Sequence, residues 1–315
     1  MPLDLTGEGF SRKPKKEGRN TEFSTPATVD KPTTWIPTDP KYSLDDLILD
    51  VHIKDAILDA VAFYSYQDVV MYKWGLADRF ADRINLSINL YGDSGTGKTM
   101  AAHAIAHALG KQIIFVDYAE IESKYVGETS KNIKNLFEEA SEQDAIIIFD
   151  EADALLSKRV TDMRSSTDVS VNQTRSVLLN ILNEYTGIVI FTTNFIQNFD
   201  PAFIRRIRYQ IRFELPNMEL RQRLWEMYIP AKLPTNASSV ILAEKYEGVS
   251  GSDIANAVFS AAIKAARLGE EIVDEGFFEE AIKSIIKAKK ENAGTTETIT
   301  KRVVSEDYVK EQLKI

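Results

Sequence analysis

Leu90 to Thr99 reads LYGDSGTGKT, and within it Gly92, Gly97, Lys98 and Thr99 fit the pattern GxxxxGK(S/T), with Gly95 as a third glycine. A loop that wraps phosphate oxygens must turn its backbone N–H groups inward, which asks for glycine conformations and no side chains in the way. Gly92, Asp93, Ser94, Gly95, Thr96, Gly97, Lys98, Thr99 and Met100 are therefore the candidate phosphate cradle. In such a loop Lys98 reaches the β- and γ-phosphates and the Thr99 hydroxyl meets Mg²⁺. The flanks agree with this. Ile88 to Tyr91 is short, apolar and strand-like, and Met100 to Leu109 is alanine-rich and helix-forming. The N-terminus of that helix adds the positive end of its dipole to the anion site. Strand, loop and helix in this order point to a bound nucleoside triphosphate.

Composition narrows the class. The chain has 315 residues, enough for one large domain and a smaller one. It contains no cysteine, which removes disulfides, thiolate zinc sites and cysteine nucleophiles. No run approaches the ~18 apolar residues of a membrane-spanning helix, and no apolar leader opens the sequence, so a cytoplasmic protein without membrane insertion is expected. The net charge of −9 argues against a protein that coats nucleic acid, although Arg12, Lys13, Lys15, Lys16 and Arg19 form a local basic cluster.

Residues 1–41 are rich in Pro, Thr, Gly and charge and read as a flexible arm. From Tyr42 apolar residues recur, and a short segment leads into a helix expected to reach about Lys73. Apolar strand runs follow at Gln112–Asp117, Ala145–Phe149, Gly187–Phe191 and Ile211–Leu215, separated by the helical stretches Ser130–Ser141 and Val171–Tyr185. Short apolar strands alternating with helices predict an α/β fold, a mostly parallel sheet covered on both faces. In such sheets ligands gather at the carboxyl ends of the strands. After Pro216 only helical patterns remain, at Met218–Tyr228, Ser252–Leu268 and Glu275–Lys290. The expected division is an ATPase-type α/β domain at 42–216 and a small helical lid domain at 217–315, the latter ending in an amphipathic extension.

Asp150 and Glu151 close the strand run IIIF, where one carboxylate can hold Mg²⁺ through water and its neighbour can polarise the attacking water. Asn194 ends the next strand, placed to orient that water. Arg205 and Arg206 precede the last strand; a guanidinium at a γ-phosphate is worth roughly 10³–10⁵ in rate.

The order of these motifs resembles the AAA+ superfamily, and within it the AAA clade of katanin, spastin and the ATPase part of FtsH. The resemblance runs from about Tyr42 to Lys290 and is carried by GDSGTGKT (92–99), IIIFDEAD (146–153), FTTN (191–194), DPAFIRR (200–206) and GVSGSD (248–253). It implies an ATP- and Mg²⁺-dependent ATPase that remodels, unfolds or disassembles proteins. Asn194 would be sensor 1, and Arg205 and Arg206 would act on the nucleotide of a neighbouring subunit in a ring, usually a hexamer. It further implies that KYVGET holds a pore loop, with Lys124, Tyr125 and Val126 facing a channel and Tyr125 gripping a polypeptide substrate or one delivered by an adaptor.

The chain departs from the family in three places. Asp93 and Ser94 stand where two prolines are usual, which removes rigidity from the loop. The stretch that would flank the adenine reads DDLILDVHI, without the usual glycine, and the arginine segment lacks a Pro-Gly insert. Other readings are a clamp-loader or initiator acting on DNA, favoured only by the basic arm, and an ATP-dependent switch or scaffold. The letters DEAD at 150–153 invite an RNA helicase, but that needs a second strand-rich domain, and the residues after Pro216 read as helices. His103 and His107 share a helix face without a third ligand or a glutamate base between them, and read as structural histidines, not zinc ligands.

Overall fold

The computed structural model describes residues 35–80, 85–117, 128–157, 166–194 and 199–292. Five parallel strands form one sheet: β1 Leu86–Gly92, β2 Ile113–Asp117, β3 Ile146–Asp150, β4 Ile188–Thr193 and β5 Tyr209–Phe213, in the order β2-β3-β4-β1-β5. β3 and β4 alternate between two apolar layers, which is why their sequence runs are continuously hydrophobic, whereas β1 carries buried Ser87 and Asn89 and β5 carries Gln210 and Arg212 between its apolar residues. In β3, Ile146 and Ile148 join one core while Ile147 and Phe149 join the other. On the first face the core includes Leu86, Ile88 and Leu90 of β1, Ile57 and Ala60 of helix α1 (Val51–Ser65), and Ala101, Ala102 and Ile105 of the helix Lys98–Ala108. On the second, Phe149 and Phe191 stack at 5.3 Å beneath Ile133, Leu136 and Phe137 of the helix Glu128–Glu142 and Leu178 and Leu182 of the helix Ser166–Glu184.

The chain leaves β1, crosses to β2 at the far edge and returns through β3 and β4. β4 thus lies between β3 and β1, with Phe149 level with Phe191 and Tyr91 level with Thr193. The carboxyl ends of β1, β4 and β3 are brought side by side. This is the placement expected for ligand chemistry.

Past Pro216 the described residues are helical: Met218–Tyr228, Ser239–Lys245, Gly251–Leu268 and Glu275–Asn292. They share a third core around Trp225, Leu242, Ile254, Ala257, Phe278 and Ile282. Asn217 caps the first of them by accepting the Leu220 N–H at 3.0 Å. The guanidinium of buried Arg221 donates to the carbonyls of Ala243 and Pro216 at 2.9–3.0 Å, tying the start of this helix to the next one.

Three expectations shift in position, and one helix was not foreseen. The helix drawn to Lys73 stops at Ser65; a π-turn at Val69–Lys73 and a short helix at Ala77–Phe80 replace its end. The last strand is Tyr209–Phe213, two residues earlier than expected, because Gln210 and Arg212 alternate with the apolar residues facing the core. The helix Ser239–Lys245 was hidden by its brevity, though Ser238 caps it. Within the arm drawn at 1–41, residues 35–41 pack on the sheet edge: Trp35 is buried, its backbone N–H donates to Glu139, and Thr38 bridges Ile113. A buried indole holds that segment down. Residues 1–34 lie outside the described residues.

Candidate functional site

A cleft of ≈ 860 Å³ opens at the carboxyl ends of β1, β4 and β3. Ser94, Gly95, Thr96, Gly97, Lys98, Thr99 and Met100 line it, with Asp150, Glu151, Thr192 and Asn194 beside them. Its volume suits a nucleotide-sized ligand, since small-molecule sites run roughly 300–1,000 Å³. The far wall is apolar. Leu47, Ile48, Leu49, Ile53, Leu220 and Tyr228 contribute to it, so the segment without the usual glycine does border the cleft.

The loop has the geometry its glycines predict. Gly92, Gly95 and Gly97 have φ of 135°, 75° and 98°, all in the region that side chains resist. Gly97 is the N-cap of the helix Lys98–Ala108 and has no side-chain cap, so the first N–H groups of the helix face the cleft. Gly92 and Asp93 do not line the cleft; their carbonyls accept the Lys98 ammonium at 2.9 and 2.8 Å. Lys98 is buried, and burial pushes its pKa down against the pull of Asp153, Asp93, Asp150 and Glu151. A phosphate arriving here would meet a desolvated cation.

The acidic corner is organised by threonines. Asp150 Oδ1 accepts from the Thr99 hydroxyl at 2.9 Å and from the Thr192 hydroxyl. Glu151 is exposed and has a φ of 48°, a left-handed conformation that costs a non-glycine residue roughly 1–2 kcal/mol. Two bonds to β4 hold it there: the Glu151 N–H donates to Thr192 Oγ1 at 3.2 Å, and the Ala152 N–H to the Thr192 carbonyl at 2.8 Å. Backbone strain maintained by its surroundings clusters at functional positions. Asn194 lines the same cleft, and its N–H donates to Asp153 Oδ1 at 3.1 Å.

Arg205 and Arg206 do not line this cleft. They follow the short helix Pro201–Ile204, capped by Asp200. Arg205 is exposed, and Arg206 donates to Asn183 at 2.7 Å and to the Ala202 carbonyl at 2.9 Å. Lys124, Tyr125 and Val126 lie outside the described residues.

Residues 88–217 match the family described as ATPase family associated with various cellular activities (AAA). The chain carries an AAA ATPase domain. It is 34% identical over 209 residues to a 26S proteasome regulatory subunit homologue of Methanocaldococcus jannaschii, covering 65% of this chain and 56% of that one. It is 35% identical over 204 residues to a proteasome-activating nucleotidase of Saccharolobus solfataricus (62% and 52%), and 34% over 207 residues to the 26S proteasome regulatory subunit 8 homologue of Schizosaccharomyces pombe (63% and 51%). The chain spans about half the length of these curated relatives. The phosphate loop and the carboxyl ends of β1, β3 and β4 all fall within the matched residues.

Three sets of supporting side chains were given no role from the sequence, although Asp153 and Ser250–Ser252 lie within motifs quoted there. Asp153, the last letter of DEAD, accepts from the Thr193 hydroxyl and the Asn194 N–H, and so fixes the end of β4. Buried Ser87 donates to the Arg206 carbonyl at 3.0 Å and accepts the Arg208 N–H at 3.1 Å, locking the arginine segment to β1. A serine inside an apolar strand was its only signal. Ser250 and Ser252 press on Gly95 from the helical region. His103 is a core histidine whose Nδ1 accepts the Lys41 N–H at 3.2 Å; burial lowers its pKa. Among the described residues, no helix is long and apolar enough to cross a membrane.

Proposed function

We propose that this chain hydrolyses ATP with Mg²⁺ in a site shared between copies, and uses the energy to remodel or unfold a polypeptide in a ring, hexameric in the manner of the AAA clade. One observation carries the shared site. Lys98, Thr99, Asp150, Glu151 and Asn194 converge on the cleft, whereas Arg205 and Arg206 lie away from it, so these two guanidiniums would serve the cleft of a neighbouring copy; Arg212, which does line the cleft, pairs with Glu214 at 3.3 Å. The chain's residues fit Mg²⁺ as a passenger of the nucleotide. Thr99 and Asp150 offer an oxygen pair, and among the described residues no group of three or more His, Cys, Asp or Glu could hold the ion alone. Mg²⁺ is commonly bound by one or two protein oxygens together with phosphates and water. When bound, it would neutralise charge on the phosphate oxygens.

Lys98 would release the Gly92 and Asp93 carbonyls for phosphate. Glu151, exposed in the cleft, would take the proton of the attacking water at its carboxylate, with Asn194 orienting that water. Arg205 and Arg206 from the next copy would stabilise the transition-state charge. The apolar wall around Leu47, Ile48 and Tyr228 would receive the base. We assign residues 42–216 and 217–315 to the two domains of this motor. Lys124, Tyr125 and Val126 would grip the substrate. Relatives named for activating or regulating a proteasome support a polypeptide as that substrate, delivered directly or by an adaptor, and not nucleic acid.

The test is ATP turnover per subunit against protein concentration, for wild type beside the double variant Arg205→Ala/Arg206→Ala. Specific activity that climbs with concentration, with the double variant at least ~10³-fold slower throughout, is the expected result. Flat activity from dilute solution, with the arginines dispensable, would refute the shared site.

A further inference from the structure

The phosphate loop is braced from outside its own domain. The Ser252 N–H donates to the Gly95 carbonyl at 3.2 Å. The fit is tight enough that a Cβ on Gly95 would fall 2.0 Å from Ser252 Oγ and 2.6 Å from Ser250 Oγ. The turn that presents these serines is shaped by one carboxylate. Asp253, 5% exposed at its side chain, accepts on Oδ2 the Ser250 N–H at 2.7 Å and the Ser250 hydroxyl at 2.8 Å. A third donor comes from far along the chain: Lys289 Nζ, 2.5 Å away on the helix Glu275–Asn292.

We propose that Lys289 is a positioning residue for the nucleotide site, acting through Asp253 and the Ser250–Ser252 turn on Gly95; this rests on the cleft being the nucleotide site. The physical reason is the cost of the buried carboxylate. A buried charge is tolerated when it is paired and hydrogen-bonded. With Lys289 removed, Asp253 keeps only neutral donors from one residue and must draw in water. The turn then opens, and Gly95 loses its brace. The helix Glu275–Asn292 is thereby connected to the phosphate loop through side chains that never touch the nucleotide.

The experiment uses the full chain and a fluorescent ADP. Lys289→Met should weaken binding about three- to tenfold, the scale of one charge-assisted hydrogen bond discounted for a lysine that is 49% exposed. KM for ATP should rise in proportion while kcat changes little. Lys289→Arg should restore binding. The control is Lys283→Met, which breaks an ion pair to Glu279 of 3.0 Å on the same helix and touches no part of the turn; it should bind as wild type does. In hydrogen exchange, the peptides covering 248–253 and 92–98 should lose protection together in Lys289→Met. Wild-type binding by Lys289→Met, or an equal loss in Lys283→Met, overturns the proposal while leaving the site reading intact. Failure of the wild type to bind, or normal binding by Lys98→Ala, overturns both.

Discussion

Gly92 and Gly97 are both required by the loop motif, but the structure assigns them different reasons, and alanine at each should separate those reasons. Gly92 ends β1 in register with Phe213 of β5. A Cβ there would sit 1.9 Å from the Phe213 carbonyl oxygen and 2.9 Å from its carbon, so the obstacle is paired backbone and not a side chain that could swing aside. Overpacking costs roughly 1–3 kcal/mol and the left-handed conformation roughly 1–2 more, so Gly92→Ala should lose about 2–5 kcal/mol. That is a large share of the roughly 5–15 kcal/mol of a typical native state. At Gly97, with φ 98°, no atom lies within 4 Å of an added Cβ, so only the conformational cost of about 1–2 kcal/mol applies. Its methyl, however, would stand in the cleft beside the uncapped N–H groups, where a phosphate is to sit. One lost charge-assisted bond of about 1.5–3 kcal/mol already weakens binding more than tenfold. Urea unfolding and nucleotide titration on both variants make the test. Gly92→Ala should fail chiefly in stability and Gly97→Ala chiefly in binding. Equal destabilisation of the two, or normal binding by Gly97→Ala, would refute the reasoning.

Glu151→Gln keeps the shape of an exposed side chain and removes the base, so ATP should bind within about twofold of wild type while turnover falls roughly 10²–10⁴-fold; near-normal turnover would sink the assigned role. Tyr185 bears a buried hydroxyl with no hydrogen-bond partner among the described residues, and burial, with Asp144 adding to it, pushes its pKa up to about 12. Because the folded pKa is raised, its stabilising contribution is full below the ordinary value of 10.0 and is lost as pH climbs toward 12. Tyr185→Phe should therefore flatten the alkaline loss of stability and, by removing an unsatisfied polar group, cost nothing or gain about 1 kcal/mol at pH 7. Chemical denaturation at pH 7, 10 and 11.5 would show this, and a loss at pH 7 would mean the hydroxyl has a partner.

What the sequence made legible followed from local rules. The phosphate loop announces itself because its glycines, lysine and threonine are contiguous, and β3 and β4 do so because strands buried on both faces have no polar gaps. The order of the strands was not legible. Nothing local in Ile188–Thr193 says that it lies between β3 and β1, yet that insertion brings Asp150, Asn194 and the loop to one cleft. The supporting side chains were hidden for a similar reason. Ser87 meets Arg206 and Arg208 about 120 positions away, and Trp35 meets Glu139 and Gln143 more than 100 away. Such contacts are set by tertiary packing, where neither propensity nor periodicity carries a signal.

The loop's unusual composition then acquires a physical explanation. Asp93 and Ser94 replace the two prolines expected by resemblance, so the chain gives up the stiffness that fixed φ angles would supply. The structure supplies other constraints at neighbouring positions. The Asp93 carbonyl is held twice, by the Thr96 hydroxyl at 2.8 Å and by the Lys98 ammonium at 2.8 Å, and the Gly95 carbonyl is held by the Ser252 N–H. The first two lie inside the loop, and one of them, Lys98, must be surrendered when phosphate takes the ammonium. The third comes from the helical region and is independent of that exchange. A loop of this composition is therefore most dependent on Ser252 when nucleotide is bound. Any movement of the helical region relative to the sheet would reach the phosphates through Gly95 as well as the base through Tyr228.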